Sequence, residues 1–259
     1  MAREGKRIGQ RGARRLRQVA GAAPRWLKIA CGVMLALCLF ALINLAYHVA
    51  RKPTELFVVT GHSLDKEPEE TWRQYGALFR AHATRAITAE LLAALAQTES
   101  SGNPVARTYW RWRLAWNPFA LYQPASSAVG LFQMTDGAFA DAARFCIRDH
   151  EVTSDGCGPS SLYIRAWPAH AAELTVISLD RQVAAVLARH PAAKPTLAQK
   201  QDLAAVIHLC GAGPATGFVR RGFKPESGER CGDHSVAGYL GKVNAMKKLF
   251  QKLAASERS

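Results

Sequence analysis

Polarity along the chain changes abruptly after Lys28. Residues 29–50 are 22 positions without a charge, bounded by Lys28 and Arg51. Leu35, Leu37, Leu39, Phe40, Leu42, Ile43 and Leu45 place apolar groups on every side of a helix. At about 1.5 Å of rise per residue, roughly 20 apolar residues cross the hydrocarbon core of a bilayer. The pattern predicts one transmembrane helix, with Asn44, Tyr47 and His48 near its distal, interfacial end. Periodicity is then lost. Pro53, Gly61 and Pro68 among mixed charges read as a linker, with a short strand over 56–60. From Thr71 the spacing becomes helical. Thr88 suits an N-cap, Glu90 suits a first turn, and strong helix formers continue to Glu99 before Gly102-Asn103-Pro104 stops them. Val176, Leu179, Val183, Val186 and Leu187 share one face of a helix over 172–189. Leu203, Val206 and Ile207 do so over 197–210. Val243, Met246, Leu249, Phe250 and Leu253 do so over 235–254, opposite Lys242, Lys247, Lys248 and Lys252. Strand signals are few and short, and no repeat of fixed period is present. The expectation is a mainly α domain after one N-terminal transmembrane helix.

Composition narrows the class. With 49% hydrophobic and 21% charged residues the chain is neither disordered nor fibrous. The layout read from it is a basic N-terminus at 1–28, a span at 29–50, a linker at 51–75 and one domain at 76–255. The net charge of +14 invites a nucleic-acid reading. Its distribution argues otherwise. Residues 1–28 hold nine Lys or Arg and one acid, a net +8, which leaves +6 for the other 231 residues. A basic flank before an apolar helix favours a cytoplasmic N-terminus, so the bulk of the chain is expected across the inner membrane, in the periplasm. A cleaved signal peptide competes, but its apolar region is usually about 7–15 residues and ends in a small-x-small site. Here His48 occupies the −3 place of the exit, 46–50. A lipid-modified cysteine is weaker still, because neither Cys31 nor Cys38 has suitable neighbours.

Four cysteines lie beyond the span: Cys146, Cys157, Cys210 and Cys231. An even number past an export signal suggests disulfides, since the periplasm is oxidising. Three connectivities are open. Pairing 146 with 157 and 210 with 231 closes short loops and is preferred. A zinc site is the alternative, without a C-x-x-C pair to support it, and free buried thiols are the bland one.

Glu99 is the residue that carries chemistry. Leu91, Leu95 and Glu99 fall at i, i+4 and i+8, so the acid ends an apolar stripe. Partial burial and the negative end of the helix dipole would both favour the protonated acid, as a general acid requires. A solvated or capping glutamate is the alternative from the helix alone. Four short motifs decide between them: Glu99-Ser100-Ser101-Gly102-Asn103-Pro104, then Gly130-Leu131-Phe132-Gln133, then Leu209-Cys210-Gly211-Ala212-Gly213-Pro214, then Tyr239 with Val243 four residues on.

In these four motifs, in this order, the sequence resembles the soluble lytic transglycosylase (SLT) domain of the family 1 lytic transglycosylases. The resemblance runs from about residue 80 to 250. It implies a lysozyme-like fold and a lyase that cuts peptidoglycan between N-acetylmuramic acid and N-acetylglucosamine. Glu99 would be the single catalytic residue, protonating the glycosidic oxygen and then deprotonating the muramic acid C6 hydroxyl. That hydroxyl closes a 1,6-anhydro ring without water, so the second carboxylate of ordinary glycosidases is not required. Asp136 reads as a surface or cap residue. Ser100, Ser127, Gln133 and Tyr239 match positions that bind sugar or orient the acid. No cofactor or metal is implied. The expected partners are glycan strands and the inner membrane, and a secretion or conjugation apparatus is a candidate because several SLT-domain proteins serve one. The third motif departs from the family, with Cys210 and Gly211 where Tyr and Asn are usual. A non-catalytic wall-binding assembly protein and a muramidase that uses water therefore stay open as alternatives. Between the first two motifs, Tyr109, Trp110, Trp112, Trp116, Phe119 and Tyr122 alternate with Arg107, Arg111 and Arg113. Sugar stacking and packing on the domain are the readings of that run; nucleic-acid stacking is a third, and the expected periplasmic compartment argues against it, so no nucleic-acid partner is expected.

Overall fold

The computed structural model describes residues 24–58 and 61–257 of the chain. Most of the basic N-terminal flank lies outside the described residues. The elements are mainly helical: α1 (Arg25–Arg51), α2 (Pro68–His82), α3 (Ala89–Ser100), α4 (Asp136–Ala142), α5 (Pro168–Ala188), α6 (Leu197–Cys210), α7 (Ala212–Arg220) and α8 (Val236–Ser256). Six strands of two or three residues accompany them: β1 (Trp110–Trp112), β2 (Tyr122–Pro124), β3 (Cys146–Arg148), β4 (Glu151–Thr153), β5 (Arg230–Cys231) and β6 (His234–Ser235). β3 pairs antiparallel with β4, Ile147 opposite Val152, and β5 with β6, Cys231 opposite His234.

The chain divides into two compact units. The first holds α1 and Leu114–Tyr122. α1 is 27 residues, long and apolar enough to cross a membrane, and its aliphatic side chains are exposed all round. The second unit runs over Thr54–Arg113 and from Gln123 onward. Its core is built around α3, whose residues from Leu91 to Ala96 are completely buried. α2 and α8 pack on α3, and α5, α6 and α7 close the rest of the core. α3 is a helix for local reasons as well: the Thr88 hydroxyl accepts from Leu91 N at 3.4 Å, and Ala and Leu carry little helix cost. It stops because Ser101 and Gly102 adopt left-handed conformations, at φ 52° and 67°. At Gly102 a Cβ would sit 2.2 Å from Thr71 Oγ1, so only glycine fits there.

Three sequence expectations need correction. Residues Pro53–Val58 form a 3-10 turn instead of the start of a strand, and 59–60 lie outside the described residues. The turn points Glu55 inward, completely buried, where it accepts from Trp110 Nε1 at 2.6 Å and faces Arg107 at 3.4 Å. Within the 51–75 linker, Pro53–Val58 and Gly61–Leu64 are accordingly structured. α2 starts at Pro68 within it, and Trp72 and Tyr75 join the core. Finally, Lys247 is not on the solvent face of α8. It lies on the same stripe as Val243, Phe250 and Ala254, is 7% exposed, and donates to Gln201 Oε1 at 2.9 Å. Burial lowers its ammonium pKa, Asp202 opposes that, and Lys248 adds to it.

Candidate active site

Glu99 stands in the last turn of α3, one turn beyond Leu95, with its side chain 20% exposed. The Tyr239 hydroxyl, on the first turn of α8, donates to Glu99 Oε1 at 2.5 Å. Burial pushes that hydroxyl well above the usual tyrosine range, and the Glu99 charge and the hydrogen bond push it the same way. The hydroxyl therefore keeps its proton and donates it to the Glu99 Oε1 hydrogen bond. His208 Nε2, from the last turn of α6, lies 3.7 Å from the same oxygen. Sequence reading missed His208, although it stands two residues before Cys210 of the third motif; a lone histidine in an apolar helix carries no local signal.

Two cavities meet at the acid. One, about 430 Å³, is lined by Asp65, Ser100, Arg107 and Tyr109. The other, about 580 Å³, is lined by Gln133, Leu209, Asp233, His234, Tyr239 and Lys242. Thr98, Glu99 and Thr108 line both. The carboxyl thus sits where a chain laid through the two would present its middle. Both signs of charge line them, Asp65 and Arg107 in one and Asp233 and Lys242 in the other.

The remaining candidates build the frame. The Ser100 hydroxyl is turned to Ala96 O at 2.9 Å and Leu131 O at 2.8 Å, so it ties the end of α3 to the second motif. Gln133 has φ 47° and donates from Nε2 to Ala106 O at 3.1 Å and Gly130 O at 3.0 Å. Gly130, at φ 76°, has no room for a side chain: a Cβ would meet Arg165 O at 2.9 Å and Pro104 O at 3.0 Å. Asn103 is 2% exposed and donates to Asp65 Oδ1 at 2.8 Å. Ser127 Oγ accepts from Asp136 N at 3.1 Å, at the entry to α4. Asp136 itself is 71% exposed and pairs with Arg165 at 2.6 Å.

The structure bonds Cys146 to Cys157 and Cys210 to Cys231. The second bridge joins the end of α6, just past His208 and Leu209, to the β5–β6 hairpin whose His234 and Ser235 line the larger cavity. It holds one wall of the larger cavity at Cys210 and Gly211.

Residues 77–156 match the transglycosylase SLT domain family. That stretch contains Glu99 and the 130–133 motif, and it ends before His208, the third motif and Tyr239. The SLT-containing chain has a mainly α, lysozyme-like fold, preceded by one apolar helix at its N-terminal end. A search of curated protein sequences returns no match to the chain.

Proposed function

We propose that the chain is a membrane-anchored peptidoglycan lytic transglycosylase. The observation that carries this reading is the placement of Glu99, at the junction of two cavities and hydrogen-bonded by a buried tyrosine, inside the SLT match. Glu99 gives its proton to the oxygen linking N-acetylmuramic acid to N-acetylglucosamine, and that bond breaks. The resulting carboxylate takes the proton of the muramic acid C6 hydroxyl, whose oxygen bonds to the anomeric carbon. The proton is returned, no water is consumed, and the product ends in 1,6-anhydromuramic acid. Tyr239 holds the carboxyl in one rotamer through both steps. Ser100, Gln133 and Gly130 keep the first two motifs in register, and Ser127 braces the entry to α4.

The +8 of residues 1–28, ahead of the uncharged part of α1, supports a cytoplasmic N-terminus, and two disulfides support an oxidising compartment for the domain. A tethered single domain suits local wall opening, such as an envelope-spanning secretion or conjugation assembly needs.

A hydrolytic muramidase is favoured by one observation: Asp65 and Asp233 also line the two cavities and offer a second carboxylate. Digestion of purified sacculi by the detergent-solubilised full chain, with products identified by mass, separates the readings. Anhydro ends support the transglycosylase; reducing ends support the muramidase. Glu99→Gln is expected to abolish release of muropeptides while sacculus binding persists. Binding without release by the parent protein would instead support a wall-binding assembly protein.

A further inference from the structure

Leu114–Tyr122 is far from a conventional surface loop. Leu114 is 98% exposed and Trp116 106% exposed, and Arg111, Trp112 and Arg113, all exposed, lead into them. Such a cluster is unusual on a surface that faces only water. The same segment is fastened to the distal part of α1. Asn44 Nδ2 donates to Tyr122 O at 2.7 Å, and His48 Nε2 donates to Phe119 O at 2.9 Å. Tyr47 stacks on Phe119 with ring centroids 4.5 Å apart. Asn44 is the one buried residue of α1, and the segment is what covers it.

These contacts fix a depth. Arg51 ends α1. His48 and Asn44 lie three and seven residues before it, roughly 4 and 10 Å along the axis. A bilayer's headgroup layer is about 6 Å on each side of a hydrocarbon core of about 30 Å. With Arg51 among the headgroups, a segment bonded at His48 and Asn44 lies at the boundary between headgroups and acyl chains. An amide and an imidazole at that depth need partners, and the backbone carbonyls of Phe119 and Tyr122 supply them. Tryptophan beside aliphatic side chains, with arginine close by in the chain, is the chemistry that such a boundary favours.

We propose that Leu114–Tyr122 is a membrane-interface anchor, with Leu114 and Trp116 inserted at the headgroup–acyl boundary of the leaflet through which α1 leaves. This rests on α1 being a membrane span. The chain touches that leaflet twice, once at the end of α1 and again at a segment that lies, in sequence, between the first two motifs.

The test is bromine quenching of tryptophan in the full chain, reconstituted into phosphatidylcholine–phosphatidylglycerol vesicles with or without brominated acyl chains. Trp26, exposed near the start of α1, is the internal standard for lipid contact, and Trp72, buried in the core of the other unit, is the standard shielded from lipid. Trp116→Phe should reduce the quenching by about as much as Trp26→Phe does, and Trp72→Phe should leave it unchanged. Leu114→Glu should expose Trp116 to acrylamide. If Trp26→Phe reduces quenching and Trp116→Phe does not, the interface anchor is wrong while the span stands. If neither reduces it, the span itself is wrong. Shielding of Trp116 from acrylamide by added muropeptides, with no response to brominated lipid, would assign the segment to glycan and overturn the proposal.

Discussion

Removing one oxygen atom should expose how much of the chemistry depends on holding the Glu99 carboxyl still. Tyr239→Phe keeps the ring that packs in the core and deletes only the hydroxyl that donates to Glu99 Oε1 at 2.5 Å. A hydrogen bond to a charged group contributes about 1.5–3 kcal/mol, and each 1.4 kcal/mol is about tenfold in rate. The donor is 9% exposed, but the Glu99 side chain is 20% exposed and lines both cavities, so solvent replaces part of the bond and the lower half of that range applies. The turnover rate should fall roughly 10- to 40-fold. Burial holds the Tyr239 hydroxyl above the tyrosine range, so it stays protonated in acid and in neutral buffer. The assay is release of soluble muropeptides from sacculi under saturating substrate, with thermal unfolding measured in parallel. Full parental turnover in Tyr239→Phe would refute the positioning argument. So would a loss that follows the fraction unfolded.

Other expectations rest on different parts of the molecule. Gly130 carries a positive φ, and two backbone oxygens lie within 3.0 Å of where a Cβ would stand. Gly130→Ala should therefore cost about 1–3 kcal/mol and lower activity through Gln133. Gly137→Ala, with nothing within 4 Å, should not destabilise, and equal melting temperatures for the two variants would refute this. Replacing Cys210 and Cys231 by Ser opens a loop of 21 residues' separation and should cost about 3 kcal/mol, read as a lower denaturant midpoint that reductant no longer shifts at this bridge. Burial holds the His82 imidazole below its usual value, with Glu173 opposing and His170 reinforcing. The unfolded chain then takes up a proton near pH 6.5 that the folded chain refuses, so stability present above that pH falls as acid is added. His82→Gln should shrink the fall in denaturant midpoint between about pH 7.5 and about pH 5.5, and an unchanged fall would show that His82 is not responsible.

The helices were legible where one stripe of apolar residues faces one core. Leu91 and Leu95 predicted the inward face of α3, and Val176, Leu179, Val183 and Val186 that of α5, because burial on a helix repeats at helical spacing. Glu99 was legible as the end of such a stripe beside a helix stop. Lys247 shows the limit of the pattern. Its position belongs to the buried stripe of α8, but its charge pointed to solvent, and only Gln201 from α6 explains how an ammonium is accommodated there. Glu55 was hidden for the same reason, since its partners Trp110 and Arg107 are more than fifty residues away. His208 meets Glu99 only when the fold brings the last turn of α6 to the last turn of α3, and Leu114–Tyr122 meets α1 only across more than seventy residues. Contacts of that reach leave no period in the sequence.

Ser100 has a practical consequence for altering this protein. Its hydroxyl fastens the end of α3 to Leu131 O, so the acid and the second motif move as one rigid block. A mutant library aimed at a new glycan should leave Ser100, Gly130 and Gln133 invariant, keep Thr108, whose hydroxyl bonds the Ser126 backbone, and diversify Tyr109, His234 and Lys242 around them. Those three side chains line the cavities, so they offer sequence space that can be searched without unseating the acid.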